Sequence, residues 1–347
     1  MVNPLDRVDV APASSESEWD GYVARHPGGT ADHLWSWREI FEKVFGHETV
    51  YLTAHRDGRA VGVLPLVQFR SRIFGRSVIS LPFLNYGGVL ADDDAAAAEL
   101  VQRGVEIGRR FGARHVELRH VHRQFPDRPC RQHKLQLTRL LPAGRDELWN
   151  DVDRKIRNQV RKAQKEGLVA VSGGSELVPD FYGVFARNMR DLGTPVYSRR
   201  LFEETLRAFP DRANVFVVRR SGVALAAGVS VRFRDVTLVP WASSLREYRA
   251  LCPNMLLYWA MLEHAVANGA RVFDFGRSSP GSGTHIFKLQ WGATAAPLHW
   301  EYILLTARDL PDQGPSNSRF RTAIGIWKHL PQWVANSMGP AVASHLP

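Results

Sequence analysis

A chain of 347 residues is long enough for two domains with a core in each. Its 44% hydrophobic and 23% charged residues exclude a disordered or fibrous protein, and its two cysteines, Cys130 and Cys252, exclude a disulfide framework. A formal net charge of +10 suits a phosphate-rich partner (a nucleic acid, a nucleotide- or lipid-linked sugar, an anionic membrane surface) as well as a soluble enzyme that is simply basic. No run reaches the roughly 18 apolar residues of a spanning helix. The first residues lack a charged stretch followed by an apolar one, so a cytoplasmic location is expected.

In chain order, residues 1–18 read as a polar lead-in and 18–26 as a short helix. Residues 30–45 carry Leu34, Trp35, Trp37, Ile40, Phe41 and Phe45 at helical spacing. Strands over 49–56 and 60–69 flank Asp57-Gly58, a hairpin signal. A third strand is expected over 77–82, a two-glycine turn in LNYGGVL (84–90), and an amphipathic helix over 95–110 ended by Phe111-Gly112-Ala113. Strands follow at 115–119 and 134–141. Residues 146–167 read as one long helix with Leu148, Val152, Ile156, Val160 and Ala163 as its apolar stripe. Six basic residues crowd its second half: Arg154, Lys155, Arg157, Arg161, Lys162 and Lys165. Arg154, Arg157, Arg161 and Lys165 share one face, and only Glu166 interrupts the charge. A solvated face and a phosphate-binding face both fit.

The second half repeats the first. FGARHVELR (111–119) and NGARVFDFG (268–276) share Gly-Ala-Arg before a strand, and residues 51–70 and 215–233 both read as strand, glycine turn, strand. The period is a whole domain, so the chain is a tandem and not a solenoid. Boundaries at 1–145, 146–310 and 311–347 follow, the last a linker and a helical tail. Each domain is expected to be α/β of the α+β kind, with a mixed, mostly antiparallel sheet and helices on its faces. The tail carries Phe320, Ile324, Ile326, Trp327, Leu330 and Trp333, with Arg319, Arg321 and Lys328. It suits a membrane surface or packing against the second domain equally.

Residues 254–292 hold the densest functional signal. A helix ends at Gly269, a strand follows over 271–275, then the glycine-rich loop GRSSPGSGT and a short helix with Phe287 and Lys288. In an open α/β sheet the carboxyl ends of strands face the ligand crevice, which points to Asp274, Gly276, Arg277 and Ser278.

The duplicated unit looks like two acetyltransferase-type (GNAT) domains in tandem. At AQKEGL (163–168), NMRDLGTPVYSRRLF (188–202), NGARVFDFG, HIFKLQWG and WKHLPQWVANSMGP (327–340), the chain resembles the Fem family of peptidoglycan-bridge aminoacyltransferases, particularly its FemAB-like branch associated with exosortase/PEP-CTERM systems. The resemblance implies an acyltransferase that takes an amino acid from aminoacyl-tRNA and joins it to an amine of a cell-wall or exopolysaccharide precursor. No resident cofactor is implied; acyl-CoA is the alternative donor. The family's phenylalanine–lysine pair falls on Phe287-Lys288, where an ammonium would stabilise the oxyanion built during attack on the ester. Tyr197 and Arg199 fall where acceptor phosphates are held. Trp241, Ser243 and Ser244, with Asn85 and Tyr86 from the first domain, would line the cleft. Arg154, Arg157, Arg161, Lys162 and Lys165 would hold tRNA or another phosphate-rich substrate, and the acceptor would be nucleotide- or lipid-linked, with a peripheral contact to the inner membrane face. The family's aspartate-proline after the first-domain strand is replaced by Arg119-His120. The early lysine that grips the sugar nucleotide has no counterpart around residues 37–43. The non-enzymatic alternative is a tandem domain that binds RNA or an assembly partner.

Other signals are weaker. Neither NYGGVLADDD nor SSLREYRALCPN has the (Arg/Gln)-x-x-Gly-x-(Gly/Ala) loop that cradles the pyrophosphate of CoA. GRSSPGSGT lacks the Gly-Lys-(Ser/Thr) end of a P-loop. His115, His120, His122, Cys130 and His133 share a region without metal-ligand spacing, so no metal is expected.

Overall fold

A computed structural model describes residues 7–72, 74–311 and 318–346. In chain order the elements begin with β1 (Asp9–Pro12), α1 (Glu16–Arg25), α2 (Trp37–Ile40), β2 (Glu48–Arg56), β3 (Arg59–Ser71), β4 (Gly75–Ile79) and β5 (Leu90–Ala91). Then come α3 (Asp94–Phe111), β6 (His115–His120), β7 (Cys130–Arg131), β8 (Leu135–Leu140), α4 (Arg145–Asp151), α5 (Arg154–Lys165), β9 (Val169–Gly173), α6 (Val178–Leu192) and α7 (Arg199–Ala208). The rest are β10 (Ala213–Arg220), β11 (Val223–Phe233), β12 (Val236–Ser244), α8 (Pro253–Ala267), β13 (Val272–Ser278), α9 (Gly283–Gln290), β14 (Thr294–Pro297), β15 (His299–Leu304), α10 (Ser318–Lys328) and α11 (Gln332–Ala343).

The chain divides into two compact units. One holds residues 1–134, 297–311 and 344–347, the other 135–296 and 312–343. The sheet of the first runs β1-β2-β3-β4-β6-β15-β7 with β5 on β3; that of the second runs β14-β8-β13-β12-β11-β10-β9. The repeat is visible strand by strand. Each unit has a hairpin (β2–β3, β10–β11), an antiparallel third strand (β4, β12), a helix (α3, α8) and a strand parallel to the third (β6, β13). Both hairpins turn on two residues of positive φ, Asp57 (51°) with Gly58 (73°) and Ser221 (49°) with Gly222 (81°), the geometry whose twist suits paired strands. The strand beyond each parallel pair comes from the other half of the sequence: β15 pairs with β6, and β8 with β13. A boundary at residue 145 therefore leaves β8 on one side and its sheet partner on the other.

The first core sets Ala96, Leu100, Val101 and Val105 of α3 against Leu52, Leu64, Leu66, Val116 and Leu118. In the second, Ile156, Val160 and Ala163 of α5 and Leu257, Met261, Leu262 and Ala265 of α8 meet Phe216, Val218, Phe273 and Phe275. Burial of these side chains at about 25 cal/mol per Å² is the main force holding helix to sheet.

Two helical expectations change. Residues 30–45 form a short 3-10 turn (Ala31–His33), then α2, which widens into a π turn over Phe41–Phe45. Residues 146–167 form two helices, not one. Val152 is extended (ψ 135°), and the Asp153 carboxylate caps α5 by accepting the Lys155 N–H at 2.7 Å. An aspartate that competes for backbone N–H groups starts a helix better than it continues one.

The tail packs on the second unit: α10 and α11 both lie against α6. Ala335, Gly339 and Ala343 form its buried side, and a Cβ added at Gly339 would lie 2.8 Å from the Val196 side chain. Residues 312–317 of the expected linker lie outside the described residues. Beyond α11, the chain ends on the first unit: His47 Nε2 donates to the Ser344 carbonyl (2.8 Å) and Ser71 Oγ to that of His345 (2.9 Å). Among the described residues no helix is long and apolar enough to cross a membrane.

Candidate active site

The second sheet opens between its two parallel strands. β12 and β13 pair at Val236↔Val272, Thr237↔Phe273 and Leu238↔Asp274, and no further. Both strands carry an extra residue just beyond the last pair. On β12, the step from Leu238 to Trp241 faces the shorter step from Val231 to Val229 on β11. On β13, the step from Asp274 to Arg277 faces that from Thr138 to Gln136 on β8. A bulge bends the strand that holds it, so two bulges at one level part the strands and leave polar backbone at the opening.

Lys288 is anchored at the β13 side. Ser282 caps α9 by accepting the His285 N–H (3.2 Å). The helix then sits inverted by the usual rule, with Ile286 52% and Leu289 42% exposed while Lys288 is only 7% exposed. Lys288 Nζ donates to the carbonyls of Gly276 (3.1 Å) and Arg277 (3.0 Å). In a regular strand successive carbonyls point to opposite edges, so one ammonium cannot take both. The left-handed Gly276 (φ 70°) makes it possible. Burial pushes the Lys288 ammonium down to about 8; the Asp274 carboxylate resists that fall and the Arg277 guanidinium adds to it.

Asp274 is buried, and both oxygens are engaged inside the unit: Oδ1 accepts the Gly276 N–H at 2.7 Å and Oδ2 the Gln136 Nε2–H at 2.9 Å. Ser278 is 5% exposed, and its Oγ has no hydrogen-bond partner among the described residues. Phe287 is half-buried and meets Tyr258 edge to face, with centroids 4.9 Å apart; Tyr258 stacks at 5.8 Å on Phe275. These rings with Trp291 form a dry wall at the foot of α9.

On β12, Trp241 is buried edge to face against Phe202 of α7 at 5.2 Å. Ser243 Oγ accepts from Asn188 Nδ2 at 3.0 Å, and Ser244 is half-buried beyond it. Asn188 of α6 was not singled out in the sequence. The Tyr197 carbonyl accepts the Tyr182 hydroxyl (3.0 Å), and exposed Arg199 pairs with Glu203 (2.8 Å) in the first turn of α7. The structure thus gathers Asp274, Arg277, Ser278 and Lys288 at β13, places Trp241, Ser243 and Ser244 along β12, and sets Tyr197 and Arg199 at the start of α7.

The basic residues of α5 divide. Arg157 Nη1 donates to the Trp149 and Asn150 carbonyls that end α4 (3.4 and 3.5 Å), and Arg161 lies 5.3 Å over the Trp149 ring. Arg154, Lys162 and Lys165 are exposed and form no ion pair among the described residues.

In the first unit the corresponding opening is filled by the chain itself. β4 and β6 last pair at Ile79↔Glu117. Beyond it Ser80 N–H donates to the Glu117 carbonyl (2.8 Å), Gly87 N–H to that of Arg119 (3.2 Å), and Val89 N–H to His120 Nε2 (2.9 Å). Asn85 and Tyr86 are buried in this plug, their N–H groups held by Asp32 Oδ2 at 2.9 and 3.0 Å. Arg119 is buried between Glu117 (2.8 Å) and the Trp300 ring (3.9 Å). His120 accepts at Nε2, so its proton sits on Nδ1, 2.6 Å from Glu301 Oε2. Among the described residues no three His, Cys, Asp or Glu side chains converge as a metal site requires.

Residues 150–288 match the family described as Acetyltransferase (GNAT) domain. Among solved structures, the chain is similar to FemX at 17% identity and a TM-score of 0.64, over 86% of this chain and 98% of that one. It is similar to a tandem GNAT protein from the clavulanic acid biosynthesis pathway at 13% identity and a TM-score of 0.56, over 87% and 100%. It is also similar to the C-terminal domain (DUF2156) of a proposed lysylphosphatidylglycerol synthetase from Agrobacterium fabrum, at 13% identity and a TM-score of 0.56, over 82% and 90%. No curated protein matches the sequence. The chain shares its fold with FemX and with a tandem GNAT protein, and residues 150–288, within its second unit, match the GNAT domain family.

Proposed function

We propose that this Fem-like acyltransferase moves an aminoacyl group, or a related acyl group, to an amine of a cell-wall or exopolysaccharide precursor. The observation that carries the reading is the buried Lys288 ammonium at the level where β12 and β13 part. The acceptor amine attacks the ester carbonyl carbon and a C–N bond forms. Negative charge builds on the carbonyl oxygen, where a cation already in place costs no reorganisation. The C–O bond then breaks, the donor hydroxyl leaves with a proton, and the amine loses one. No protein group is assigned as the base, since the family's aspartate position is Arg119 and that side chain is buried against Glu117.

The donor is aminoacyl-tRNA, held in part by Arg154, Lys162 and Lys165 on the outer face of α5. Trp241, Ser243 and Ser278 line the opening for the acyl end, and Arg199 takes acceptor phosphate. The acceptor is lipid- or nucleotide-linked, so the protein works against the inner face of the membrane, touching it with the outer side of α10 and α11.

The test supplies purified protein with labelled aminoacyl-tRNA or labelled acyl-CoA, together with lipid- and nucleotide-linked amine acceptors. Transfer from the tRNA ester, lost in Lys288→Ala with binding retained, is the expected result. Transfer from acyl-CoA alone would replace the donor. No transfer from either, with Lys288→Ala fully functional in cells, would leave only a binding role.

A further inference from the structure

We propose that Asp274, clamped by Gln136, is a positioning residue that builds the carbonyl cradle of Lys288 and supplies its counter-charge. The inference rests on Lys288 being the working cation of the proposed reaction, but the linkage itself is physical and separately testable. A carboxylate at the end of a strand beside a ligand opening is ordinarily read as facing substrate. Here Asp274 is 3% exposed, and each oxygen has a partner within the unit. Oδ1 holds the Gly276 N–H (2.7 Å), two residues on, which fixes the left-handed glycine. That glycine in turn aims its own carbonyl and that of Arg277 at Lys288 Nζ. Oδ2 is held by Gln136 Nε2 (2.9 Å), reaching from β8 at the rung where β13 regains register. The carboxylate is thus locked in one orientation by groups from two strands, beside a buried ammonium whose direct partners are both neutral carbonyls.

Among the described residues of its unit, the charged and titratable surroundings of Lys288 are few. On β13, Asp274 favours the ammonium and Arg277 opposes it. On β8, Gln136 is neutral, and Arg139 is committed to Asp151 (2.5 Å) and the Trp291 carbonyl (2.8 Å). On α9, His285 Nδ1 accepts the Gly281 N–H, and on α8 burial keeps the Tyr258 phenol neutral.

The test reads the Lys288 amine directly and needs neither donor nor acceptor. Short pulses of acetic anhydride across pH 6–11 label free amines, and peptide mapping by mass spectrometry gives the midpoint for Lys288. Asp274→Asn keeps the size and an acceptor oxygen but removes the charge. Its midpoint should fall by about one pH unit, so that Lys288 labels about fivefold faster at pH 7. Simple loosening of the site would do the opposite, because relief of burial moves the midpoint up. Gln136→Leu, which leaves the carboxylate but frees its second oxygen, should shift the midpoint down by less, and stands in if Asp274→Asn does not fold. A midpoint that rises or stays fixed in the folded variants overturns the proposal. Failure of acyl transfer with a lowered midpoint would instead sink the transferase reading and leave the linkage intact.

Discussion

Gly276 turns its carbonyl to within 3.1 Å of Lys288 Nζ, and it does so from a backbone φ of 70°. A side chain at that φ costs roughly 1–2 kcal/mol. Gly276→Ala should therefore either strain the bulge or relax it towards a regular strand, and relaxation withdraws one of the two carbonyls from the ammonium. The expected outcome is a drop of at least tenfold in kcat with KM little changed, and a melting temperature lowered by a few degrees. Full activity in Gly276→Ala would show that the cradle is not needed.

Lys288 itself should cost the fold stability. Its ordinary value of 10.5 falls to about 8 on burial. Between those values the unfolded chain binds a proton that the folded protein does not, so this group makes stability rise with pH from about 8 to 10.5, and below 8 the full cost of burying the charge is present. Lys288→Met removes that cost but also takes the donor from the Gly276 and Arg277 carbonyls, about 1 kcal/mol each, so unfolding free energy at pH 7 should rise by only about 1 kcal/mol, while transfer is lost. The wild-type rate should fall above about pH 8, as the ammonium is lost. Urea melts of both proteins at pH 7 and a pH–rate profile check the pair of effects. A destabilised Lys288→Met would contradict the first.

How much of this was legible follows from how local each cause is. Asp57-Gly58, Gly112 and Gly269 act through their own φ values, all positive here, and the elements they bound stand close to where the residues put them. The break before α5 depended on one Asp153 side chain choosing a cap over a surface position, which spacing does not reveal. The pairing of β8 with β13 and of β15 with β6 joins residues more than a hundred positions apart, beyond any periodic pattern. At the candidate site, Lys288 was found by resemblance, but its burial runs against helix amphipathicity, since Ile286 and Leu289 take the exposed positions. Asn188 and Gln136 are polar residues among many and become visible only through the atoms they hold.

The plug in the first unit predicts a site of low tolerance. A Cβ added at Gly88 would fall 1.9 Å from the His120 ring. To make room, His120 must give up the Val89 N–H, the Glu301 carboxylate, or both, leaving a buried N–H without its acceptor or a buried carboxylate with only the Gln124 and Phe125 N–H groups. Gly88→Ala should cost about 3 kcal/mol, measured by chemical denaturation. Gly58→Ala is a milder control: its added Cβ would meet no atom within 4 Å, and only its positive φ is strained. Equal losses in the two would deny the plug its structural role.

The two kinds of arginine and lysine on α5 should separate experimentally. Arg154, Lys162 and Lys165 are exposed, so replacing all three by alanine should leave the melting temperature nearly unchanged. It should weaken binding of tRNA and reduce the salt dependence of that binding by up to about three released counterions. Arg157→Ala should instead lose about 1 kcal/mol of stability, because two carbonyls at the end of α4 lose their donor. Binding unaffected by the triple change, across a salt titration, would exclude this face as the contact for a polyanion.

The outer side of the tail gives the last prediction. Trp333 is 76% exposed and Ile326 62%, with Met338 half exposed, while the small residues Ala335, Gly339 and Ala343 take the inner side of α11. Leaving a tryptophan in water while glycine and alanine are buried is costly unless the outer side meets something apolar. Residues 318–346 also contain three Lys or Arg and no Asp or Glu, which favours an anionic surface over a neutral one. The protein should therefore sediment with vesicles of phosphatidylglycerol and phosphatidylcholine, and poorly with phosphatidylcholine alone. Salt should weaken the binding by screening the charges, without abolishing the apolar part. Trp333→Ala should reduce the bound fraction several-fold and leave transfer to a soluble acceptor analogue unchanged. Binding that ignores lipid charge and Trp333 alike, or a concentration-dependent dimer that Trp333→Ala dissolves, would assign this face to something other than the membrane.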